Sequence, residues 1–180
     1  MTSQYCRLIT PPSEQGAVSF KRVLGGPPRP NIVERGAFHV VGMQRRFAAG
    51  NVEGMFNLWA EFSKRDGEIA DKDPCVCYGV VIGDSRPGDP GFLYMACAET
   101  KSPDRVPPGM VAFTVPAGRY AVFTHRGPIA EFHRTVQRIW KEWLPASGLT
   151  PTGAPDIEVY DERFKLHEAD SECDMLVPVK

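Results

Sequence analysis

The sequence predicts an α+β fold: a tandem duplication of a strand-helix-strand-strand module, with antiparallel sheets, two main helices and a cleft between pseudo-twofold halves. The first observation is a repeat at an offset of 81 residues, since residues 58–62 read LWAEF and residues 139–143 read IWKEW. The same offset carries Val40-Val41 onto Ala121-Val122 and residues 76–78 onto residues 157–159. Solenoid repeats have periods of about 20 to 50 residues, so two copies of one module explain the offset better. Ligand sites often lie in clefts between such units.

The first module is expected over residues 31–100, after an extended arm over residues 1–30 that contains two short candidate strands and ends in a run of Gly and Pro. A strand is predicted over Phe38–Phe47 after a turn at Gly36. A helix is predicted over Val52–Arg65, because its apolar residues recur at spacings of three and four. Asn51 is its expected N-cap and Gly67 its expected stop. Two strands follow, over residues 76–82 and Phe92–Glu99.

The second module is expected over residues 111–179. Strands over Val111–Val115 and residues 119–125 are expected to pair as a hairpin or bulged ribbon, because Pro116-Ala117-Gly118 separates them. Pro128 opens the second helix, which has its own apolar stripe. Pro145 and Gly148 end this helix. The last strands are predicted over Asp156–Tyr160 and residues 174–179.

The segment DIEVY, residues 156–160, holds the strongest candidate site residues. Strand alternation separates Ile157 and Val159, which we expect under the helix, from Glu158 and Tyr160, which we expect on the open face. The matching positions of the first module are small, Cys77 and Gly79, so the pattern predicts room from one half and charge from the other. A carboxylate among aromatic rings suits an organic cation, and burial would raise the pKa of its acid form. A solvated Glu158 on an exposed strand is the open alternative.

Further ligand-binding candidates are aromatic or imidazole side chains near the expected cleft. Matched positions on the two helices single out the tryptophans, although such residues are often core. His125 ends a strand just before the second helix, and a packing role is its alternative. The remaining candidates are Trp59, Phe56, Trp140, Tyr94 and Tyr120.

Composition excludes several classes of function. The net charge of −1 argues against direct nucleic-acid binding, which needs a basic surface. No segment has the roughly 18 consecutive apolar residues of a membrane span, and the N-terminus has no signal core, so we expect a cytoplasmic protein without membrane contact. The five cysteines include one C-x-C pair, which lacks the spacing of a zinc site. We expect no metal and no cofactor, since phosphate-loop and dinucleotide motifs are missing. A homodimer or a protein partner stays open.

Several motifs in fixed order resemble the GyrI-like small-molecule-binding family, which includes the effector-binding domains of AraC-type and multidrug-sensing bacterial transcription regulators. In the second half these are GRYAVFTHRGP, IWKEWLPASG, PDIEVY and DMLVPV. The first half fits through CYGVVIGD and GFLYMACAE. The resemblance covers about residues 31–179. The domain is therefore expected over residues 31–180, with repeats over about 31–100 and 111–179.

The resemblance implies binding of bulky, apolar, often cationic molecules between the modules, and it assigns the cation-binding acid to Glu158. Aromatic walls vary among members and carry over only loosely. The sequence has no helix-turn-helix segment, so we expect a stand-alone protein that sequesters or senses its ligand. Two alternatives stay open: a hydrolase of cyclopropane-bearing alkylating natural products, with Glu158, Tyr160 and Tyr120 as catalytic groups, and a gyrase-inhibitor-like interaction module.

Overall fold

The computed structural model describes residues 30–48, 51–83, 91–166 and 168–180. The arm predicted over residues 1–30, with its two candidate strands, lies outside the described residues except for Pro30. The fold class is α+β, as predicted. The described part contains one antiparallel sheet and two main helical segments.

The sheet has eight strands in the order β1-β6-β8-β7-β3-β4-β2-β5, and every neighbouring pair is antiparallel. The seven strands β2 to β8 all fall where the sequence predicts strands, with ends shifted by at most two residues. Of the strands in the described residues, β1 alone was not predicted. In chain order the strands are β1 Asn31–Arg35, β2 Phe38–Phe47, β3 Cys77–Ile82, β4 Phe92–Glu99, β5 Val111–Val115, β6 Gly118–Arg126, β7 Asp156–Tyr160 and β8 Glu172–Val179.

The first helix, α1, spans Val52–Arg65 as predicted, and the Gly54 amide donates to the Asn51 side chain at 3.0 Å, which confirms the N-cap. A 3-10 turn, Asp66–Glu68, follows it, so the helical path runs through Gly67 instead of stopping there. No helix in the described ranges is long and apolar enough to span a bilayer.

The second helical segment, residues 129–147, changes its hydrogen-bond pattern along its length. It begins as a 3-10 turn at Ile129–Glu131, continues as α2 at Phe132–Arg138, widens into a π-helix at Ile139–Trp143 and ends as α3 at Leu144–Ser147. Pro145 has no amide hydrogen to donate to the preceding turn, and this accounts for irregular bonding around it. The helical path continues through Pro145 to Ser147, so Pro145 does not end it as predicted, and Gly148 ends it in the left-handed region, at φ 73°.

Two short links force the sheet to curl. β1 and β2 occupy the first and seventh places in the sheet, although only Gly36 and Ala37 separate them in sequence. Six strand spacings of a flat sheet measure about 29 Å, whereas three residue steps reach about 11 Å. The same constraint holds for β5 and β6, in the eighth and second places. The hairpin predicted between β5 and β6 is therefore wrong: β5 pairs with β2, and β6 pairs with β1.

Arg35 holds the curled edge in place. At the end of β1, its guanidinium lies over the Phe38 ring at 3.9 Å from the ring centre. It donates to the Tyr78 hydroxyl at 2.8 Å and to Glu99 Oε2 at 3.1 Å. These contacts join the outermost strand to β2, β3 and β4, which a flat sheet would keep far apart.

The strand pairing reproduces the offset found in the sequence. Between the central strands β3 and β7, Cys77 pairs with Tyr160 and Gly79 pairs with Glu158, and an offset of 81 residues exchanges these two pairs. Tyr78 pairs with Val159, and the offset maps this pair onto itself. The pairing of the two central strands, β3 and β7, is thus symmetric under this offset.

Both helical segments lie on the same face of the sheet, which we call the helix face. On one side α1 packs on β2 and β4 through Leu58 and Phe62. On the other, the second helical segment packs on β6 and β8 through Ile139 and Leu144. A third core, which contains no helical residue, fills the opposite face, where the curled sheet packs against itself.

Candidate functional site

Glu158 lies at the middle of the sheet, on the helix face. It is 5% exposed, and its partner across the strand pair is Gly79 of β3. A Cβ atom on Gly79 would stand 2.3 Å from Glu158 Oε2 and 2.3 Å from the Tyr94 hydroxyl. The small residue predicted to leave room therefore does so, and the carboxylate and a phenol occupy that room.

The orientation predicted for β7 is reversed. Ile157 and Val159 belong to the core on the face opposite the helices, not under a helix. Tyr160 packs against the residues that both helical segments cover, and Glu158 shares its side of the strand. The candidate site is thus between the two helical segments and not on an open sheet face.

Hydrogen bonds join four side chains around one carboxylate oxygen. Tyr160 donates its hydroxyl to Glu158 Oε2 at 2.8 Å, and the Tyr94 hydroxyl donates to the same oxygen. Trp59 of α1 donates its indole nitrogen to the Tyr94 oxygen at 2.8 Å. We call these residues, with Gly79, the Glu158 cluster. It links α1, β3, β4 and β7.

The second carboxylate oxygen, Glu158 Oε1, accepts no hydrogen bond from the described residues. In that part of the chain no fully enclosed side-chain oxygen or nitrogen lacks a hydrogen-bond partner. Oε1 is therefore not fully enclosed by the described residues. A carboxylate with one oxygen held by two phenols and the other oxygen free is oriented to accept a contact from outside.

Aromatic rings surround Tyr160. The Trp59 ring meets it edge to face at a centroid distance of 5.1 Å, and the Phe164 ring does so at 4.9 Å. Phe164 lies in the connection between β7 and β8, where Arg163 binds Asp161 at 2.7 Å and Asp174 at 2.6 Å. Phe164 was not predicted from the sequence, because it belongs to no periodic segment.

Burial controls the protonation of the Glu158 cluster. Desolvation raises the pKa of Glu158, and the two phenol hydrogen bonds oppose this shift without cancelling it. Desolvation, and then the charge of Glu158, raise the pKa of Tyr94 and Tyr160 well above the usual value, so both phenols keep their protons and remain donors.

Asp156, a second acid on the same strand, was not predicted as a site residue. It stands two residues before Glu158 and thus on the same face. Burial, and then repulsion from Glu158, raise the pKa of Asp156 to about 7. The strand alternation that predicts one face for Glu158 and Tyr160 also predicts that Asp156 lies on that face.

Two predicted wall residues stand apart from the Glu158 cluster. Trp140 is 39% exposed on the second helical segment, and Phe56 is half-buried on α1. Neither forms a ring-to-ring contact within the described ranges. The offset of 81 residues matches Trp140 with Trp59, and it matches Gly79 with Tyr160. Trp59 packs on the Tyr160 ring, whereas Gly79, at the matching position, has no ring on which Trp140 could pack.

Two other candidates have structural contacts elsewhere. Tyr120 belongs to the core on the face opposite the helices and donates to the Pro116 carbonyl at 2.9 Å, so it does not join Glu158 and Tyr160. His125 is buried beneath α2, with Nδ1 2.8 Å from the Thr135 hydroxyl and Nε2 3.2 Å from the Pro128 carbonyl. Its imidazole fixes the start of the second helical segment to β6.

Comparison with known proteins places this geometry in a family. Residues 28–180 match the model of the GyrI-like small molecule binding domain. The transcriptional regulator BrlR of Pseudomonas aeruginosa is 39% identical over 150 residues, which are 82% of this chain and 54% of the regulator. The chain thus spans about half the length of this curated relative.

Solved structures with low sequence identity share the fold. The structure of SAV2435 bound to tetraphenylphosphonium has a TM-score of 0.68 and 17% identity, and the match covers 84% of this chain and 93% of that one. The C-terminal domain of EcmrR has a TM-score of 0.61 and 14% identity, with 83% and 96% covered. A Vibrio cholerae integron cassette protein has a TM-score of 0.56 and 23% identity, with 83% and 95% covered. The chain belongs to the GyrI-like small-molecule-binding domain family.

Proposed function

We propose that the chain sequesters or senses a bulky, apolar, cationic small molecule between its two helical segments, with Glu158 as the counter-ion. The observation that carries the proposal is the buried carboxylate itself. Glu158 forms no ion pair with any described residue, and its Oε1 accepts no hydrogen bond there. Buried charges in proteins are normally paired, and a bound cation would supply the missing partner.

The surroundings of the carboxylate favour an organic cation over a metal ion or a hydrophilic one. Tyr160 donates to the carboxylate, and the Trp59 and Phe164 rings pack on Tyr160. Aromatic faces attract positive charge, and they shield an apolar ligand from water. Trp140, exposed on the second helical segment, is our proposed opposite wall. Tyr94 and Tyr160 donate to Glu158 Oε2, so we expect Glu158 Oε1 to contact the ligand directly.

The relatives agree with this ligand class. The family model describes a small molecule binding domain, and the SAV2435 structure contains tetraphenylphosphonium, an apolar cation. That ligand belongs to SAV2435, and it serves here as a probe.

Binding of a cation should release a proton. Burial raises the pKa of Glu158 in the free protein, and a positive charge beside Oε1 would lower it. Affinity for a permanently charged cation is therefore expected to rise with pH until Glu158 is fully ionised. Calorimetry in buffers of different ionisation enthalpy measures the proton release directly.

The test is a calorimetric titration with tetraphenylphosphonium at pH 8. Replacing Glu158 by Gln keeps the shape and removes the charge, and the loss expected for a buried charge contact is about 2–5 kcal/mol, or at least about thirtyfold in Kd. Glu34→Gln, on the exposed edge strand β1, is the matched control and should bind like the wild type. Equal affinity of the wild type and Glu158→Gln would refute the counter-ion role.

A further inference from the structure

Asp156 extends the acidic surface of the candidate site along β7. It pairs across the sheet with Val81, which packs in the core beneath α1, so its side chain belongs to the helix face. Residues two apart on a strand have Cα atoms about 7 Å apart, and their side chains project in the same direction. Asp156 and Glu158 are therefore adjacent carboxylates on one face, between the two helical segments.

No cation among the described residues neutralises this pair. Neither Asp156 nor Glu158 takes part in an ion pair there, and Asp156 accepts no hydrogen bond. On the two strands that pair with β7, the titratable side chains of the same face carry no positive charge; they are Cys77 of β3 and Cys173 of β8, beside Tyr160 of β7 itself. Further out on this face lie Tyr94 of β4, His125 of β6, which contacts Thr135 and the Pro128 carbonyl, and Arg45 of β2, which pairs with Glu61 of α1.

We propose that Asp156 is a second anionic contact of the same candidate site, and that the preferred ligands are compact aromatic dications whose two positive groups are joined by a short tether. This inference rests on the proposed function, because Glu158 must contact the first positive group. It adds a second residue and narrows the class of ligand.

The electrostatics explain the preference. Two carboxylates side by side cannot both ionise in a partly buried site without mutual repulsion, so one of them keeps its proton near neutral pH. A monocation pairs with Glu158 and leaves Asp156 uncompensated. A dication stabilises both ionised carboxylates at once. It should therefore bind more tightly than a monocation at a pH at which both carboxyl groups have lost their protons.

Ethidium and propidium are the matched probes for this test. They share one phenanthridinium ring, and propidium adds a quaternary ammonium on a propyl tether. Fluorescence titrations of the full chain at pH 8 should show propidium binding about tenfold more tightly than ethidium, a moderate gain for a charge contact that is partly screened. In Asp156→Asn the two dyes should bind about equally, with ethidium affinity kept.

Two controls test whether the preference for propidium depends on the charge of Asp156 or on the overall charge of the protein. Asp104→Asn removes an acid from an exposed loop and should leave the preference for propidium intact. Lowering the pH of the wild type to about 5.5 should remove the preference, since a carboxyl with pKa about 7 is then protonated. The pH arm uses no variant, so it holds even if a substitution disturbs folding.

The results distinguish failure of the Asp156 proposal from failure of the Glu158 proposal. Equal binding of both dyes by the wild type at pH 8, or a propidium preference that survives in Asp156→Asn, would overturn the role of Asp156. In that case ethidium binding that still depends on Glu158 would leave the proposed function in place. If Glu158→Gln binds ethidium as well as the wild type does, the proposed function itself fails.

Discussion

Removal of one oxygen atom from Tyr94 tests whether the Glu158 cluster is a coupled unit. Tyr94 is fully buried, and among the described residues its hydroxyl alone bonds both Trp59 and Glu158. Tyr94→Phe keeps the ring and its packing. It deprives the Trp59 indole nitrogen of its acceptor and Glu158 Oε2 of one of its two donors.

The expected cost follows from these two losses. A buried donor left without a partner costs about 1–3 kcal/mol, and a hydrogen bond to a charged group contributes about 1.5–3 kcal/mol. Tyr160 still donates to Glu158, and effects within one network are not additive, so the free energy of unfolding should fall by about 3 kcal/mol. Tyr120→Phe is the control, because Tyr120 is as buried but bonds only one backbone carbonyl, and it should cost about 1 kcal/mol.

Urea denaturation of the three proteins at pH 8 measures the difference, with equal slopes required for a valid comparison of midpoints. If Tyr94→Phe loses no more stability than Tyr120→Phe, the hydrogen bonds around Glu158 do not act as a network. The carboxylate would then be held by packing alone.

The acid pair and its glycine support two further predictions. Because the native state keeps the Asp156 proton up to a pKa of about 7 while the unfolded chain loses it near 3.8, wild-type stability should fall as pH rises from about 4 to 7. The loss should be about 2 kcal/mol after allowance for solvent screening, and urea midpoints of Asp156→Asn at pH 5 and 7.5 should differ less; parallel profiles would contradict this. Gly79→Ala places Cβ against Glu158 Oε2, so it should cost about 1–3 kcal/mol in thermal or urea unfolding and abolish tetraphenylphosphonium binding. Gly36→Ala, where a Cβ meets nothing within 4 Å, is the matched control and should retain both properties.

The sequence predicted the strands and α1 well because their signals are local. Apolar spacing identifies α1 from Val52 to Arg65, and the offset of 81 residues identifies which strands correspond. That correspondence extends to the centre of the fold, where the pairing of β3 with β7 is symmetric under the same offset. It also matches Glu158 and Tyr160 with the small residues Cys77 and Gly79.

The face on which Glu158 lies was predicted wrongly, for a physical reason. Alternation shows that Glu158 and Tyr160 share one side of β7, and that Ile157 and Val159 share the other. It does not show which side meets the helices when both sides of a strand are covered. The curled sheet buries its second face against itself, so apolar residues there look the same as residues beneath a helix.

Local sequence signals also could not predict which strand pairs with β5. A Pro-Ala-Gly turn between β5 and β6 indicates a hairpin, yet the chain crosses through that turn to the far edge of the sheet. Strand pairing over such distances depends on closure of the whole sheet. The same closure places Tyr120 and Tyr94, which are both buried tyrosines on strands, on opposite faces.

The short links described above make the two halves mutually dependent for folding. Each half gives its first strand to the other, so a fragment ending near residue 100 would leave one side of β2 without its neighbour β5. An unpaired strand of ten residues invites association with other chains. Neither half is therefore a separable unit, and deletion of residues from the Gly36-Ala37 link would favour dimers in which two molecules exchange these strands, because a link too short to close within one chain can still close between two.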